Sequence, residues 1–188
     1  MAGFGLKIVK SQGPEGFTGN TAEYEIDPTN TGSIFTGDPV LLDANGWIVE
    51  ATGGAANNDF NILGVFVGVR YVDSDGSYKY RQYWNGGSGR SQIKAMVALP
   101  PVGMFAIRGN AGTNYTRAGT AGKRFGMNYF AGSTQYGDSR STLAAATAVT
   151  GPLLVHGLAD LPGNVYGTGA PTFICSVARP QGFPQVVA

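Results

Sequence analysis

Charge is what this sequence has least of. Asp, Glu, Lys and Arg together make up 13% of its 188 residues, against about 25% in an ordinary soluble domain. A surface so short of charge is expected to cover part of itself against neighbouring subunits. Basic and acidic residues nearly cancel, to a net charge of +1, and the basic ones are spread thinly along the chain. No cluster exists that could grip a phosphate backbone, so nucleic acid is not an expected partner. The single cysteine, Cys175, excludes an internal disulfide and a cysteine-built zinc site. It fits a small buried apolar residue in a strand. No apolar run reaches the roughly 18 residues of a membrane span. The opening Met1-Ala2-Gly3-Phe4-Gly5 lacks a basic segment followed by an apolar one. A cytosol-like compartment, with no membrane partner, is the expectation.

Glycine, by contrast, is plentiful. Its 30 residues are about twice the usual share of roughly 7%. Glycine inside a helix is about 1 kcal/mol worse than alanine, which argues against long helices. Hydrophobic residues, at 43%, suffice for one core. Ala22-Glu23-Tyr24-Glu25-Ile26 alternates as a half-buried strand does. Val40-Leu41-Leu42 and Trp47-Ile48-Val49-Glu50 flank Asn45-Gly46, whose φ > 0 positions suit a tight hairpin. Residues 51–58 are small and polar, as in a surface loop. The strongest strand signal is 62–72, with large apolar residues at its odd positions from Leu63 to Tyr71. Gly64, Phe66 and Gly68 between them leave room for a backbone or a ring to approach. Asp73-Ser74-Asp75-Gly76 is a turn, and 78–84 returns as the partner strand. In a continuous strand, Tyr78, Tyr80, Gln82 and Trp84 share one face. Further strands are expected at 93–99 and 104–108, split by Pro100-Pro101, and at 153–158 and 172–178. Short strands and long loops are expected over 109–137. For 143–149, a helical turn and a small-residue strand fit equally.

The sum is an all-β fold: a single antiparallel β-sandwich or barrel-like domain, 21–178, with extended arms at 1–20 and 179–188. The first arm holds one apolar run, Phe4 then Leu6-Lys7-Ile8-Val9. A lone strand of that length is unstable in water, so Phe4, Leu6, Ile8 and Val9 are expected to bind a partner's surface or a sheet edge. The prolines of 179–188 bar that arm from a central strand.

Chemistry-bearing motifs are sparse. His156 is the only histidine, and Asp160 lies four residues on. Gly86-Gly87-Ser88-Gly89-Arg90 fails the nucleophile-elbow pattern at its last position. Asp73-Ser74-Asp75-Gly76 begins like a calcium loop, but Trp84 stands where the bidentate glutamate belongs. Residues 119–124 miss the phosphate-loop spacing, with Arg117 at the first glycine and Arg124 at the Ser/Thr. No catalytic, metal or cofactor site is expected, so the protein reads as something other than an enzyme. The aromatics Tyr78, Tyr80, Tyr83 and Trp84 are the candidate interface residues, because Tyr and Trp are enriched at subunit contacts. A row of such rings also stacks on sugars, so a tail-fibre or lectin-like carbohydrate-binding β module is the alternative.

Several segments together resemble capsid decoration, or cement, proteins of tailed bacteriophages. These are Phe4-Gly5-Leu6-Lys7-Ile8-Val9, Ile34-Phe35-Thr36-Gly37-Asp38-Pro39-Val40 with Trp47-Ile48-Val49, and Ile62-Leu63-Gly64-Val65-Phe66-Val67-Gly68-Val69. Tyr71, the Asp-Gly turn and Tyr83-Trp84 continue the match, which covers most of residues 4–100. The resemblance implies a virion structural protein on the outer surface of an icosahedral head, assembled in the host bacterial cytoplasm. It further implies a homotrimer, with a dimer as the alternative, that bridges and stabilises subunits of the major capsid protein.

Overall fold

A computed structural model describes residues 3–11, 21–51, 61–100, 103–167 and 169–181. The expected loop at 51–58, apart from Ala51, and most of the expected arms, 12–20 and 182–188, lie outside the described residues. The elements, in order, are β1 (Lys7–Ser11), β2 (Thr21–Glu25), β3 (Ile34–Phe35), β4 (Pro39–Leu42), β5 (Ile48–Glu50), β6 (Gly64–Val72) and β7 (Tyr78–Arg81). They continue with β8 (Tyr83–Trp84), β9 (Ser91–Ala98), β10 (Gly103–Arg108), α1 (Arg117–Thr120), β11 (Arg124–Asn128), β12 (Thr142–Thr147), β13 (Leu153–Leu158) and β14 (Thr172–Val177). The fold is all-β and its strand pairs are antiparallel.

The first sheet runs β1-β10-β14-β13-β11-β12, and the second β2-β9-β6-β4-β5, with β7 also on β6 and a small β3-β8 pair beside it. Each sheet covers its own apolar cluster. Phe105, Ile107, Phe125, Met127, Leu153, Val155 and Phe173 fill the first; Ile26, Val40, Ile48, Phe66, Val69, Tyr71 and Trp84 fill the second. The first sheet curls toward a barrel: Gly109, just past β10, bridges Leu143 of β12. The buried Tyr115 locks that closure. Its hydroxyl accepts the Asn110 amide (2.9 Å) and donates toward the carbonyls of Leu143 (3.1 Å) and Ala144 (2.9 Å). Gly109 has to be glycine here, because a Cβ would stand 2.7 Å from the Tyr115 ring.

Both hairpins expected from the sequence are present, with one difference. Gly46 and Gly76 alone take left-handed φ, +83° and +79°, and each amide donates to the aspartate carbonyl three residues back (Asp43, 3.1 Å; Asp73, 2.9 Å). Asn45 stays at negative φ, so each loop is a type I turn closed by a left-handed glycine rather than a two-residue mirror-image turn. Residues 142–147, undecided from the sequence, are a strand. The single helical turn among the described residues, α1, is capped by the Thr116 hydroxyl, which accepts the Gly119 amide at 3.2 Å.

Two expectations need correction. Leu6, taken as a partner-binding residue of a free arm, is 2% exposed in the first cluster. The Gly5 amide donates to Ser141 O (3.1 Å), the Leu6 amide to Gly37 O (2.8 Å), and β1 pairs with β10. The sheet's own edge supplies the pairing that an isolated strand lacks. Ile8 packs partly on the same cluster, Phe4 lies under the Lys7 ammonium at 5.1 Å, and Val9 is 47% exposed. Trp84, taken as an interface aromatic, is fully buried. The return strand leaves β6 after Arg81 and repairs with β3 from Tyr83. That break at Gln82 turns Trp84 inward, away from the face that carries Tyr78 and Tyr80.

The glycine loop after Trp84 exists to enclose Arg90. Its guanidinium lies 4.7 Å from the Tyr71 ring centre and 5.2 Å from that of Trp84. Its nitrogens donate to Asn85 Oδ1 (2.8 Å), the Gly86 carbonyl and Asp73 Oδ1 (3.4 Å). Gly87, at φ +134°, has no room for a Cβ, which would fall 2.9 Å from the guanidinium carbon. The cation thus ties the 73–76 turn, the loop and the second core together.

Three stability outcomes follow from these contacts. Leu6→Ala should cost about 2–5 kcal/mol, as buried leucines do. Arg90→Ala should cost about 2–3 kcal/mol from lost cation–π and charge-assisted contacts. Arg90→Lys should recover only part of it, because an ammonium lacks the planar fork. Urea unfolding monitored by tryptophan fluorescence measures all three; an Arg90→Ala protein as stable as the parent would refute the role given to the cation.

Candidate binding surfaces

The second sheet carries ion pairs and exposed rings side by side. Arg70 forms a two-pronged pair with Glu23 (2.8 and 2.6 Å), and its third nitrogen donates to the Tyr78 hydroxyl (2.7 Å). Lys94 pairs with Glu25 on the neighbouring strands. Tyr78 and Tyr80 are 61% and 62% exposed. Tyr80 leans over Gly68, where a Cβ would meet its hydroxyl at 2.9 Å; this is the close approach of a ring that the glycine pattern implies.

Beside Tyr80 lies a groove of about 360 Å³, lined by Tyr80, Arg81, Gln82, Tyr83, Gln135 and Tyr136, with Gly137 at its edge. Tyr83 is half-buried and stacks on Phe35, with ring centres 5.5 Å apart and planes 13° from parallel. Tyr136 is 65% exposed. Sequence reasoning named Tyr80 and Tyr83 but missed Gln135 and Tyr136. The available signal was an aromatic residue set among turn formers, in Gly132-Ser133-Thr134-Gln135-Tyr136-Gly137.

A second region borders the first sheet. A cleft of about 470 Å³ is lined by Gly3, Gly109, Asn110, Ala111, Phe130 and Arg140 among others. Another, of about 350 Å³, is lined by Arg108, Leu161, Pro162, Asn164, Val165 and Thr172 among others. The first cleft draws on residues 109–111 and the second on Arg108, the last residue of β10. Phe130, Leu161 and Val165 are 50%, 51% and 66% exposed. Large apolar side chains left in water at cleft rims are a mark of docking surfaces.

Of the residues weighed for chemistry, His156 sits in the bulge between Val155 and Gly157. Its Nε2 is 2.9 Å from Ser176 Oγ. Asp73 and Asp75 turn to the Lys79 ammonium (3.4 and 3.7 Å). Among the described residues no group of three His, Cys, Asp or Glu side chains could hold a metal ion. Cys175 is fully buried among apolar residues, and burial pushes its thiol well above the ordinary range.

Comparison with protein-family models, with curated proteins and with solved structures finds no match for this chain.

The titratable groups that stand out are Asp38, Glu50 and Tyr129. Asp38 is 1% exposed, its Oδ2 accepting the Phe35 amide at 2.8 Å. Burial pushes its carboxyl up to about 6, against the opposing pull of Ser139 and the Phe35 amide. Burial, with the nearby Asp38 charge, pushes Glu50 up to about 7. The Tyr129 phenol is raised by burial and then by both carboxylates. These folded-state values lie above those of the unfolded chain, so the fold favours the protonated carboxyls. Their contribution is complete below about pH 4 and is lost as pH rises through 6 to 7. Each tenfold gain in proton affinity is worth about 1.4 kcal/mol, so Asp38 accounts for up to about 3 kcal/mol. Glu50, more exposed, adds less. Exposed acids with lowered values, such as Glu23 held by its hydrogen bond to Arg70 and Asp27 by the Thr29 amide, act oppositely below about pH 4. The melting temperature should therefore fall between pH 5 and pH 8, and Asp38→Asn should flatten the slope. A profile that rises over this interval, or a slope unchanged in Asp38→Asn, would count against this assignment.

Proposed function

We propose that this protein is a non-catalytic structural protein of a tailed bacteriophage. In this reading it is a decoration protein that binds the outer surface of the icosahedral head as a homotrimer and bridges major capsid subunits. The observation that carries the reading is the exposure of Phe130, Leu161 and Val165 in two clefts bordering the first sheet. The sparse charge of the chain, 13%, and the resemblance over residues 4–100 support it. The resembling segments supply the sheet edge at β1 and most of the second core, so they bear on the scaffold. The rim lies in the other half of the chain.

Physically, such a protein acts by linkage. One that binds only the assembled lattice stabilises it by RT ln(1 + [L]/Kd), about 4 kcal/mol per site at a thousandfold excess over Kd. Three linked copies add avidity without new contacts. Light scattering should give three times the chain mass, with twice the mass as the fallback. Mixed with undecorated phage heads, the protein should co-sediment, and Leu161→Asp with Val165→Asp should abolish this at an unchanged melting temperature. A monomer at micromolar concentration that never pellets with heads would defeat the reading.

A further inference from the structure

The groove beside Tyr80 has a composition that differs from that of the proposed docking clefts. Its lining residues are three tyrosines, two glutamines, one arginine and Gly137, with no aliphatic side chain among them. A pyranose has an apolar C–H face that packs on an aromatic ring and a rim of hydroxyls that both donate and accept hydrogen bonds. Gln82 and Gln135 each offer a carbonyl acceptor and an amide donor, and Arg81 offers a fork of donors. About 360 Å³ falls within the range of small-ligand pockets.

The two walls are also held in place before any ligand arrives. Thr36 links them: its hydroxyl lies between the carbonyls of Val67 (2.9 Å) and Gln82, and its amide donates to Gly137 O (3.0 Å). The 133–137 turn is closed by the Gly137 amide on Ser133 O (2.7 Å). Gly137, at φ +75°, brings that turn against Gln82 and Tyr83, where a Cβ would lie at 3.1 and 3.3 Å. Tyr83 is fixed by its stack on Phe35. Phe35 is held in turn by Gly132, where a Cβ would fall 2.2 Å from the ring. Preorganised walls lower the ordering cost of binding. Tyr80 and Tyr136, both more than 60% exposed, are the rings left open to a ligand.

We infer that this groove is a carbohydrate-binding site for a short oligosaccharide segment, packed on Tyr80 and Tyr136 and hydrogen-bonded by Gln82, Gln135 and Arg81. It stands apart from the residues given to capsid docking, so either assignment can fail alone. Tyr78, engaged by Arg70, lies outside the groove and provides a control.

The test is affinity electrophoresis of the full chain in native gels cast with dextran, laminarin, galactomannan, alginate or pectin. At least one polymer should retard the protein. The Tyr80→Ala/Tyr136→Ala double variant should lose at least tenfold in affinity at an unchanged melting temperature, while Tyr78→Ala migrates like the parent. If the retarding polymer is alginate or pectin, Arg81→Ala alone should release it; if it is neutral, Arg81→Ala should weaken binding only a few-fold. The inference is overturned if none of the five retards the chain, or if the double variant is retarded as strongly as the parent. It is overturned equally if the double variant changes the oligomer mass and no polymer binds, which would make the groove a contact between copies.

Discussion

The segment from Ile62 to Phe66 has to satisfy two cores at once. Ile62 and Val65 belong to the cluster under the first sheet, Leu63 and Phe66 to that under the second. Its backbone is held from both sides as well. The Ile62 amide donates to Arg179 O (2.9 Å), Ile62 O accepts the Gln181 amide (2.8 Å), and Phe66 exchanges bonds with Gly37 and Asp38 (2.9 Å each). Gly64 lies so close to β9 that a Cβ would stand 2.4 Å from Ala98 O. This seam sets how the two sheets sit together, and its close packing leaves no slack for a register slip.

The start of the C-terminal arm completes the seam. The Gln181 side chain accepts the Leu42 amide (2.7 Å) and donates to the Leu42 carbonyl (2.9 Å), standing in for a strand beside β4. Leu6, arriving through Gly37, closes the other side. Both ends of the described chain thus serve as internal fastenings where they meet the sheets. The buried Asp38 carboxyl, at the same junction, makes the joint responsive to pH because its proton is taken up by the fold more readily than by the unfolded chain.

The two candidate surfaces sit on different parts of this frame. The clefts bordering the first sheet draw on loops that follow β10, β11 and β13, whereas the aromatic groove is built by β7, β8 and the 133–137 turn. Chain segments far apart in sequence form each of them, Gln82 meeting Gly137 in one and Asn110 meeting Phe130 in the other. A rigid frame with loop-borne side chains separates stability from recognition, so exposed tyrosines or rim leucines are open to change without loss of the fold.

Local patterns in the chain are enough to define the class of fold and its turns. Glycine content argued against long helices, alternation over 22–26 and 62–72 marked strands, and Asn45-Gly46 and Asp73-Ser74-Asp75-Gly76 placed both turns, though not the turn type of the first, because these are decided by neighbours within a few residues. Tertiary packing settled what no local pattern carries. Trp84 turns inward because its strand exchanges β6 for β3 at Gln82, so the period-2 count fails there. Leu6 is core because a sheet edge formed by residues a hundred positions away receives it. Residues 142–147 become a strand because β11 pairs with them, although their small side chains suit a helix as well. The Gly86-Gly87-Ser88-Gly89 loop acquires its meaning only when Tyr71 and Trp84 close on Arg90, and Tyr136 becomes a binding candidate only when Thr36 draws its turn against Gln82. Contacts over such separations depend on the packing of the whole chain, which no short stretch of sequence specifies.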